Sequence, residues 1–94
     1  MNGKLTLQEC NDIIIYVRKN NKRCKSFILN RDGETLNGNY WQILPTIKEP
    51  NYKNLTINDN IPELIKDNFD KNTKLFIKSD NSGEIIKIKY KVND

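Results

Sequence analysis

The C-terminal part of the chain alternates between apolar and charged residues, and this pattern constrains the fold more than any other feature. Ile86, Ile88, Tyr90 and Val92 occupy every second position. Lys87, Lys89 and Lys91 fill the positions between them. Because successive side chains of a strand point to opposite faces of a sheet, the pattern predicts a strand with its apolar residues facing in and its lysines facing out.

A polar turn precedes this strand and predicts the strand that pairs with it. The sequence Asp-Asn-Ser-Gly at 80–83 consists of residues that favour tight turns. The preceding residues 74–79 include adjacent Leu, Phe and Ile side chains. We therefore expect residues 74–79 and 84–92 to form an antiparallel hairpin.

The N-terminal segment predicts a helix over residues 7–20. Thr6 is a suitable N-cap and Glu9 lies three residues later, which is the spacing of a capping box. Apolar residues with helical spacing follow at Leu7, Cys10, Ile14 and Val17. The alternative is a strand, since residues 13–17 are mostly β-branched. The capping box and the length of the pattern favour the helix.

A second, shorter helix is predicted from residue 61. Asn60 is a suitable N-cap, Pro62 falls in the first turn and Glu63 occupies the third helical position. The apolar face would consist of Ile61, Leu64, Ile65 and Phe69. The polar residues 70–72 would end the helix.

The middle of the chain predicts β-structure followed by a long loop. Residues 26–30, 34–36 and 39–44 are expected to form a three-stranded antiparallel meander, because turn sequences separate them. Pro45 ends the last of these strands. Residues 45–58 show no periodicity and are expected to be irregular, and a loop of this length is either a crossover connection or a functional segment.

These elements define an α+β fold in one small domain, residues 1–94. The expected order is α-β-β-β-α-β-β, with an antiparallel sheet made of the meander and the C-terminal hairpin. Two amphipathic helices would pack on this sheet. A chain of this length has room for a single modest core.

The residue types argue against catalysis. The chain contains no His, which removes the commonest general base and metal ligand. The four glycines form no phosphate-binding loop, and two cysteines at this spacing form no zinc site. We therefore expect no enzyme activity, no metal and no cofactor. Cys10 and Cys24 are expected to be reduced thiols in a cytoplasmic protein, with Cys10 buried.

The positive charge has two explanations. The formal net charge is +4, but Asn, Ile and Lys together fill 41 of 94 positions and Ala is absent. These frequencies are typical of an A/T-rich genome, so part of the lysine content reflects codon usage. Five cations nevertheless cluster after the first helix, and we name Arg18, Lys19, Lys22, Arg23 and Lys25 the helix-end cluster. They could contact phosphates, or they could stabilise the end of the helix dipole.

The other candidate binding residues are the Lys87, Lys89 and Lys91 row and two tyrosines. The lysine row could face an acidic partner, or it could protect a sheet edge from strand addition. Tyr40 and Tyr52 could stack on bases or anchor a protein contact. The single Trp41 is expected in the core.

Together these features predict a non-catalytic interaction protein. We expect an accessory protein, such as an inhibitor or modulator encoded by a phage or mobile element, that docks through a basic surface on an acidic protein or nucleoprotein. The alternative is a nucleic-acid-binding module that uses the helix-end cluster. A third hypothesis is a small-molecule-binding protein with a pocket under the 45–58 loop. No segment of the sequence is long and apolar enough to predict a membrane span.

Overall fold

The computed structural model describes residues 5–20, 25–30, 42–69 and 73–92. The two helices are α1 (Leu7–Asn20) and α2 (Ile61–Asn68). The five strands are β1 (Ser26–Asn30), β2 (Gln42–Pro45), β3 (Lys53–Leu55), β4 (Thr73–Ser79) and β5 (Ile85–Val92). The α+β class and the order α-β-β-β-α-β-β are confirmed.

The strands form one sheet in the order β2-β1-β4-β5-β3. Every described pairing is antiparallel. Both helices pack on one face of this sheet, which we call the inner face. The core there contains Leu5, Cys10, Ile13, Ile14, Val17, Phe27, Leu29, Ile65, Phe69, Leu75, Ile77 and Ile88. The long strands β4 and β5 occupy the middle of the described sheet, and short strands lie at its sides.

Both helices begin at the caps that the sequence predicts. At α1, the backbone N–H of Thr6 donates to Glu9 Oε1 at 3.0 Å, and the backbone N–H of Glu9 donates to Thr6 Oγ1 at 3.1 Å. This reciprocal pair is a complete capping box. At α2, the backbone N–H of Glu63 donates to Asn60 Oδ1 at 3.3 Å. Both helix N-termini depend on hydrogen bonds between residues three positions apart. The sequence alone therefore locates them.

The third strand of the described fold lies within the stretch predicted to be irregular. Strand β3 is only three residues long, and it pairs with β5 so that Lys53 lies opposite Tyr90. The expected strand at 34–36 lies outside the described residues. Strand β1 pairs directly with β2, with Phe27 opposite Pro45.

The alternation predicted for β5 is interrupted by a β-bulge. Lys78 lies opposite Lys87, but Ser79 lies opposite Ile85, so Ile86 is an extra residue without its own partner. Ile85 therefore takes the position against the core, and Ile86 is 51% exposed. The expectation that Ile86 faces inward is wrong for this reason. Val92 is also exposed, because it is the last residue of the strand.

Cys10 is fully buried between α1 and the rest of the core, as predicted. Burial, followed by the nearby negative charge of Glu9, raises the pKa of its thiol to about 12. The thiol is therefore protonated at neutral pH and behaves as a small apolar side chain. Cys24 lies outside the described residues.

Removal of the α1 cap should measurably destabilise the protein. Thr6→Ala deletes the hydroxyl that accepts from the Glu9 N–H, and a lost N-cap costs about 0.5–2 kcal/mol. Thr6→Ser keeps that acceptor and serves as the control. Urea unfolding followed by circular dichroism measures both variants. Equal midpoints for Thr6→Ala and the native protein would contradict the role of the capping box.

Cys10 should resist modification as long as the protein is folded. Its thiol is buried and its pKa is near 12, so little thiolate is available to attack an alkylating reagent at pH 8. Peptide-level mass spectrometry after iodoacetamide treatment separates Cys10 from Cys24. We expect slow labelling of Cys10 in buffer and rapid labelling in denaturant. Rapid labelling in buffer would show that the helix layer opens easily.

Candidate functional site

The face of the sheet opposite the helices carries five lysines on its two central strands. Leu75, Ile77 and Ile88 point toward the helices, so the residues between them point to the other side, which we call the outer face. The lysines on this side are Lys74, Lys78, Lys87, Lys89 and Lys91. We call them the lysine face. It includes all three lysines of the row predicted from the sequence.

Four of the five lysines of this face form two pairs that lie directly opposite each other across β4 and β5. Lys74 is paired with Lys91, and Lys78 is paired with Lys87. Cross-strand neighbours are separated by about 5 Å and alternate residues along a strand by about 7 Å. Both distances are shorter than the Debye length of about 8 Å at physiological ionic strength. The charges therefore act as one positive field.

Residues 46–52 cross this face, and we call them the strap. Strand β2 and strand β3 lie at opposite ends of the strand order, so the chain must traverse the sheet between them. Four strand spacings measure about 19 Å, and seven residues span at most about 25 Å. The strap is therefore long enough to cross the sheet and to include a bend. It passes over β5, because Lys89 Nζ donates to the carbonyl oxygen of Pro50 at 3.0 Å.

Glu49 of the strap forms ion pairs with two lysines. Its Oε1 atom lies 2.9 Å from Lys87 Nζ and 3.3 Å from Lys89 Nζ. The side chain of Lys89 is only 13% exposed, so this pair is less screened by solvent than most surface pairs. The hydrogen bond from Lys87, followed by that from Lys89, lowers the pKa of Glu49. Glu49 is therefore ionised at neutral pH and holds the strap on the sheet.

Phe76 lies in the middle of the lysine face but is hidden from solvent. It is opposite Ile28 on one side and Lys89 on the other, and it is only 1% exposed. Lys89 is itself bonded to the strap. The aliphatic stems of lysines cover apolar surface while their ammonium groups reach water. Phe76 consequently contributes to stability and offers no ring surface to a ligand.

The edge-protection explanation applies to part of the lysine row. Strand β3 pairs with β5 only from Ile88 to Tyr90, so Lys89 lies between two neighbouring strands. Lys87 and Lys91 have no described partner on the β3 side, and at those positions a lysine hinders strand addition. The stems of these lysines also cover apolar surface.

Arg18 and Lys25 of the helix-end cluster lie beside the turn of the β4–β5 hairpin. Arg18 Nη2 is 3.9 Å from Glu84 Oε1, and both side chains are exposed. Lys25 Nζ donates to Asn81 Oδ1, and the Lys25 carbonyl accepts from the Ser79 N–H at 2.8 Å. Lys19 is exposed. Lys22 and Arg23 lie outside the described residues. The described contacts of Arg18 and Lys25 thus connect the end of α1 to the hairpin turn.

That turn has a fixed conformation. Asp80 Oδ1 accepts hydrogen bonds from the N–H and the hydroxyl of Ser82 at 2.8 and 2.6 Å, and from the Glu84 N–H at 3.1 Å. These bonds, led by that from the Ser82 hydroxyl, lower the pKa of Asp80. Gly83 has φ of 91°, a conformation that Gly adopts without strain. The turn predicted at 80–83 is confirmed.

Tyr52 is the one of the two predicted binding tyrosines that lies within the described residues. Tyr52 is partly buried, and burial raises its pKa. Tyr40 lies outside the described residues. Tyr52 lines a cavity of about 250 Å³. The other lining residues are Asn51, Lys53, Tyr90, Lys91 and Val92. This volume is slightly below the range of about 300–1,000 Å³ that is usual for small-molecule sites.

The sequence does not indicate that Lys74 and Lys78 of β4 belong to the lysine face, or that Glu49 forms ion pairs with it. Lys74 and Lys78 alternate with Leu75 and Ile77, but the apolar Phe76 between them conceals the period of two. The pairing of Glu49 with Lys87 spans 38 residues of chain and follows only from the order of the strands.

The described residues contain no group of three or more His, Cys, Asp or Glu side chains that could hold a metal ion. In the same part of the chain, no helix has the length and apolar character needed to cross a membrane. Comparison with known proteins finds no matching family model, no significantly similar curated protein and no significantly similar solved structure.

The Glu49 ion pairs should stabilise the strap in a pH-dependent way. Because the pKa of Glu49 is lowered by folding, this stability is present above the ordinary pKa of Glu, about 4.3, and is lost as the pH falls through the folded value. Glu49→Gln should therefore be less stable than the native protein at pH 7 and equally stable in acid. Glu84→Gln, which removes a longer and exposed pair, is the control. Thermal melts across pH measure the difference, and a constant gap would contradict the assignment.

Proposed function

We propose that this chain is a non-catalytic interaction protein that docks through the lysine face on a larger macromolecule with an acidic surface. The observation that carries the proposal is the direct opposition of Lys74 to Lys91 and of Lys78 to Lys87. Like charges opposite one another destabilise a sheet. Such an arrangement on central strands is typical of a surface that is retained for binding at some cost in stability.

The lysine face carries as much net charge as the whole chain. The chain has sixteen Lys and Arg residues and twelve Asp and Glu residues, which gives +4. The lysine face and Glu49 account for five of these cations and one of the acids, which also gives +4. The helix-end cluster and Glu84 give the same sum, so the choice of the lysine face rests on its opposed lysine pairs and not on net charge.

The proposed role is non-catalytic, and two features of the chain support this part of the proposal. The chain contains no His, and its buried Cys10 has a pKa of about 12 and supplies no nucleophile at neutral pH. A positive field without such groups serves recognition, because it steers an acidic partner and fixes its orientation. An inhibitor or modulator of the kind that phages and mobile elements encode is the biological role we propose.

The alternative partner is nucleic acid, bound through the helix-end cluster. One observation favours it. Ser26 lies opposite Lys78, so Lys25 of the cluster is adjacent to the lysine face at the hairpin turn. The two basic surfaces could follow one phosphate backbone.

Removal of one opposed lysine pair should weaken binding without lowering the stability of the fold. Lys74→Gln/Lys91→Gln should be as stable as the native protein or slightly more so, because a repulsion is lost. Its affinity for polyglutamate should fall about fivefold, which corresponds to about 0.5 kcal/mol for each lysine. Fluorescence anisotropy at fixed ionic strength measures the affinity, and urea unfolding measures the stability.

The matched control variant has the same net charge as Lys74→Gln/Lys91→Gln. Lys53→Gln/Lys66→Gln removes two lysines that lie on β3 and α2 rather than on the lysine face. Equal losses in the two double variants would mean that only net charge matters, and the proposed surface would be incorrect. Arg18→Gln/Lys19→Gln tests the alternative. If that variant weakens oligonucleotide binding and its salt dependence more than the Lys74/Lys91 variant does, the nucleic-acid function is supported instead.

A further inference from the structure

The strap carries an isoleucine whose side chain is fully exposed. Among the large hydrophobic residues described, Ile47 is the most exposed; the others, such as Ile15 and Ile86, are about half covered. Single exposed apolar residues are common on protein surfaces. Ile47 differs because the backbone on both sides of it is bound to the sheet.

Thr46 fixes the strap before Ile47. The backbone N–H of Thr46 donates to the Ser26 carbonyl at 3.0 Å. The Thr46 hydroxyl accepts from the Lys48 N–H and donates to the Lys48 carbonyl, both at 3.2 Å. These bonds close a bend around Ile47. The side chain is thus held outward by its own backbone.

Glu49 and Pro50 fix the strap after Ile47. They bind the ammonium groups of Lys87 and Lys89, as described above. A side chain on a segment bound at both ends loses little conformational freedom when a partner covers it. Ile47 therefore has the properties of a preorganised apolar anchor.

The surroundings of Ile47 combine apolar and positive groups. Leu44, at the end of β2, is also exposed, and Lys48 is exposed next to Ile47. The ion pairs that begin the lysine face are only two residues farther along the strap. Apolar anchors in protein interfaces occupy the centre, whereas charged residues at the rim set orientation and association rate.

These features fit a protein better than a nucleic acid. Proteins that bind single strands stack bases on exposed aromatic rings, but on this face Phe76 is 1% exposed and Tyr52 of the strap is partly buried. A duplex presents mainly phosphates and sugars to a basic surface, and an aliphatic side chain enters it only as a wedge that unstacks a base step at a cost in free energy. We infer that the partner is an acidic protein surface with an apolar pocket, and that Ile47 occupies this pocket. This inference rests on the proposed docking function.

The test uses two synthetic peptides of equal length and charge and one oligonucleotide. One peptide contains Glu and Ser, and the other contains Glu and Leu. The native protein should bind the Glu/Leu peptide about fivefold more tightly than the Glu/Ser peptide. Ile47→Ala should remove this preference and leave oligonucleotide affinity unchanged. Ile15→Ala, the same change on α1, should retain the preference.

The outcomes separate this inference from the docking function. If the preference for the Glu/Leu peptide survives in Ile47→Ala, or if the oligonucleotide binds more tightly than both peptides, the inference is overturned. If Lys74→Gln/Lys91→Gln still weakens Glu/Ser peptide binding in that case, the lysine face remains a docking surface. If neither peptide binding nor oligonucleotide binding depends on those lysines, the docking function itself fails. Thermal unfolding of Ile47→Ala should match that of the native protein, because the side chain is fully exposed.

Discussion

Strand β4 is buried on both faces, and the rest of the structure provides the two layers that cover it. Leu75 and Ile77 are buried under the helices, while Phe76 is buried on the outer face. Helices cover the inner face because their apolar stripes are wide enough to do so. Among the described residues, the strap and the stems of lysines cover the outer face. Burial of Phe76 therefore depends on charged residues, and Glu49 is the residue that fixes the strap over them.

This arrangement couples the fold to the proposed docking surface. The carboxylate of Glu49 stabilises the strap and also cancels part of the positive field of Lys87 and Lys89. An acidic partner would compete with Glu49 for the same ammonium groups. Lys74 and Lys91, which lie at the other end of the face, have no described ion pair with Glu49, so they supply attraction without loosening the strap. Glu49→Gln should accordingly weaken the fold and strengthen polyanion binding.

The parts of the fold that sequence predicts correctly depend on neighbouring residues. The capping box of Thr6 and the turn at Asp80 are formed within four residues, so residue type and spacing specify them. Strand β3 has no such signal, because Lys-Asn-Leu has little strand preference and is extended only through its pairing with β5. The bulge at Ile86 likewise follows from the register of β4 and β5. The candidate site depends on strand order in the same way: the three lysines of β5 are visible in the sequence, but Lys74, Lys78 and Glu49 join them only in the folded chain.

The lysine content itself carries little functional information, whereas the position of the lysines carries more. A genome rich in A and T explains why lysine is frequent, and it would place lysines on all solvated faces without preference. In such a chain, opposed pairs on central strands are disfavoured by their repulsion, although the aliphatic stems that cover Phe76 offset part of that cost. Two such pairs occur on this face, and the Phe76–Lys89 pair lies between them. Codon usage supplies no reason for this arrangement, and a negatively charged partner would convert its repulsion into attraction.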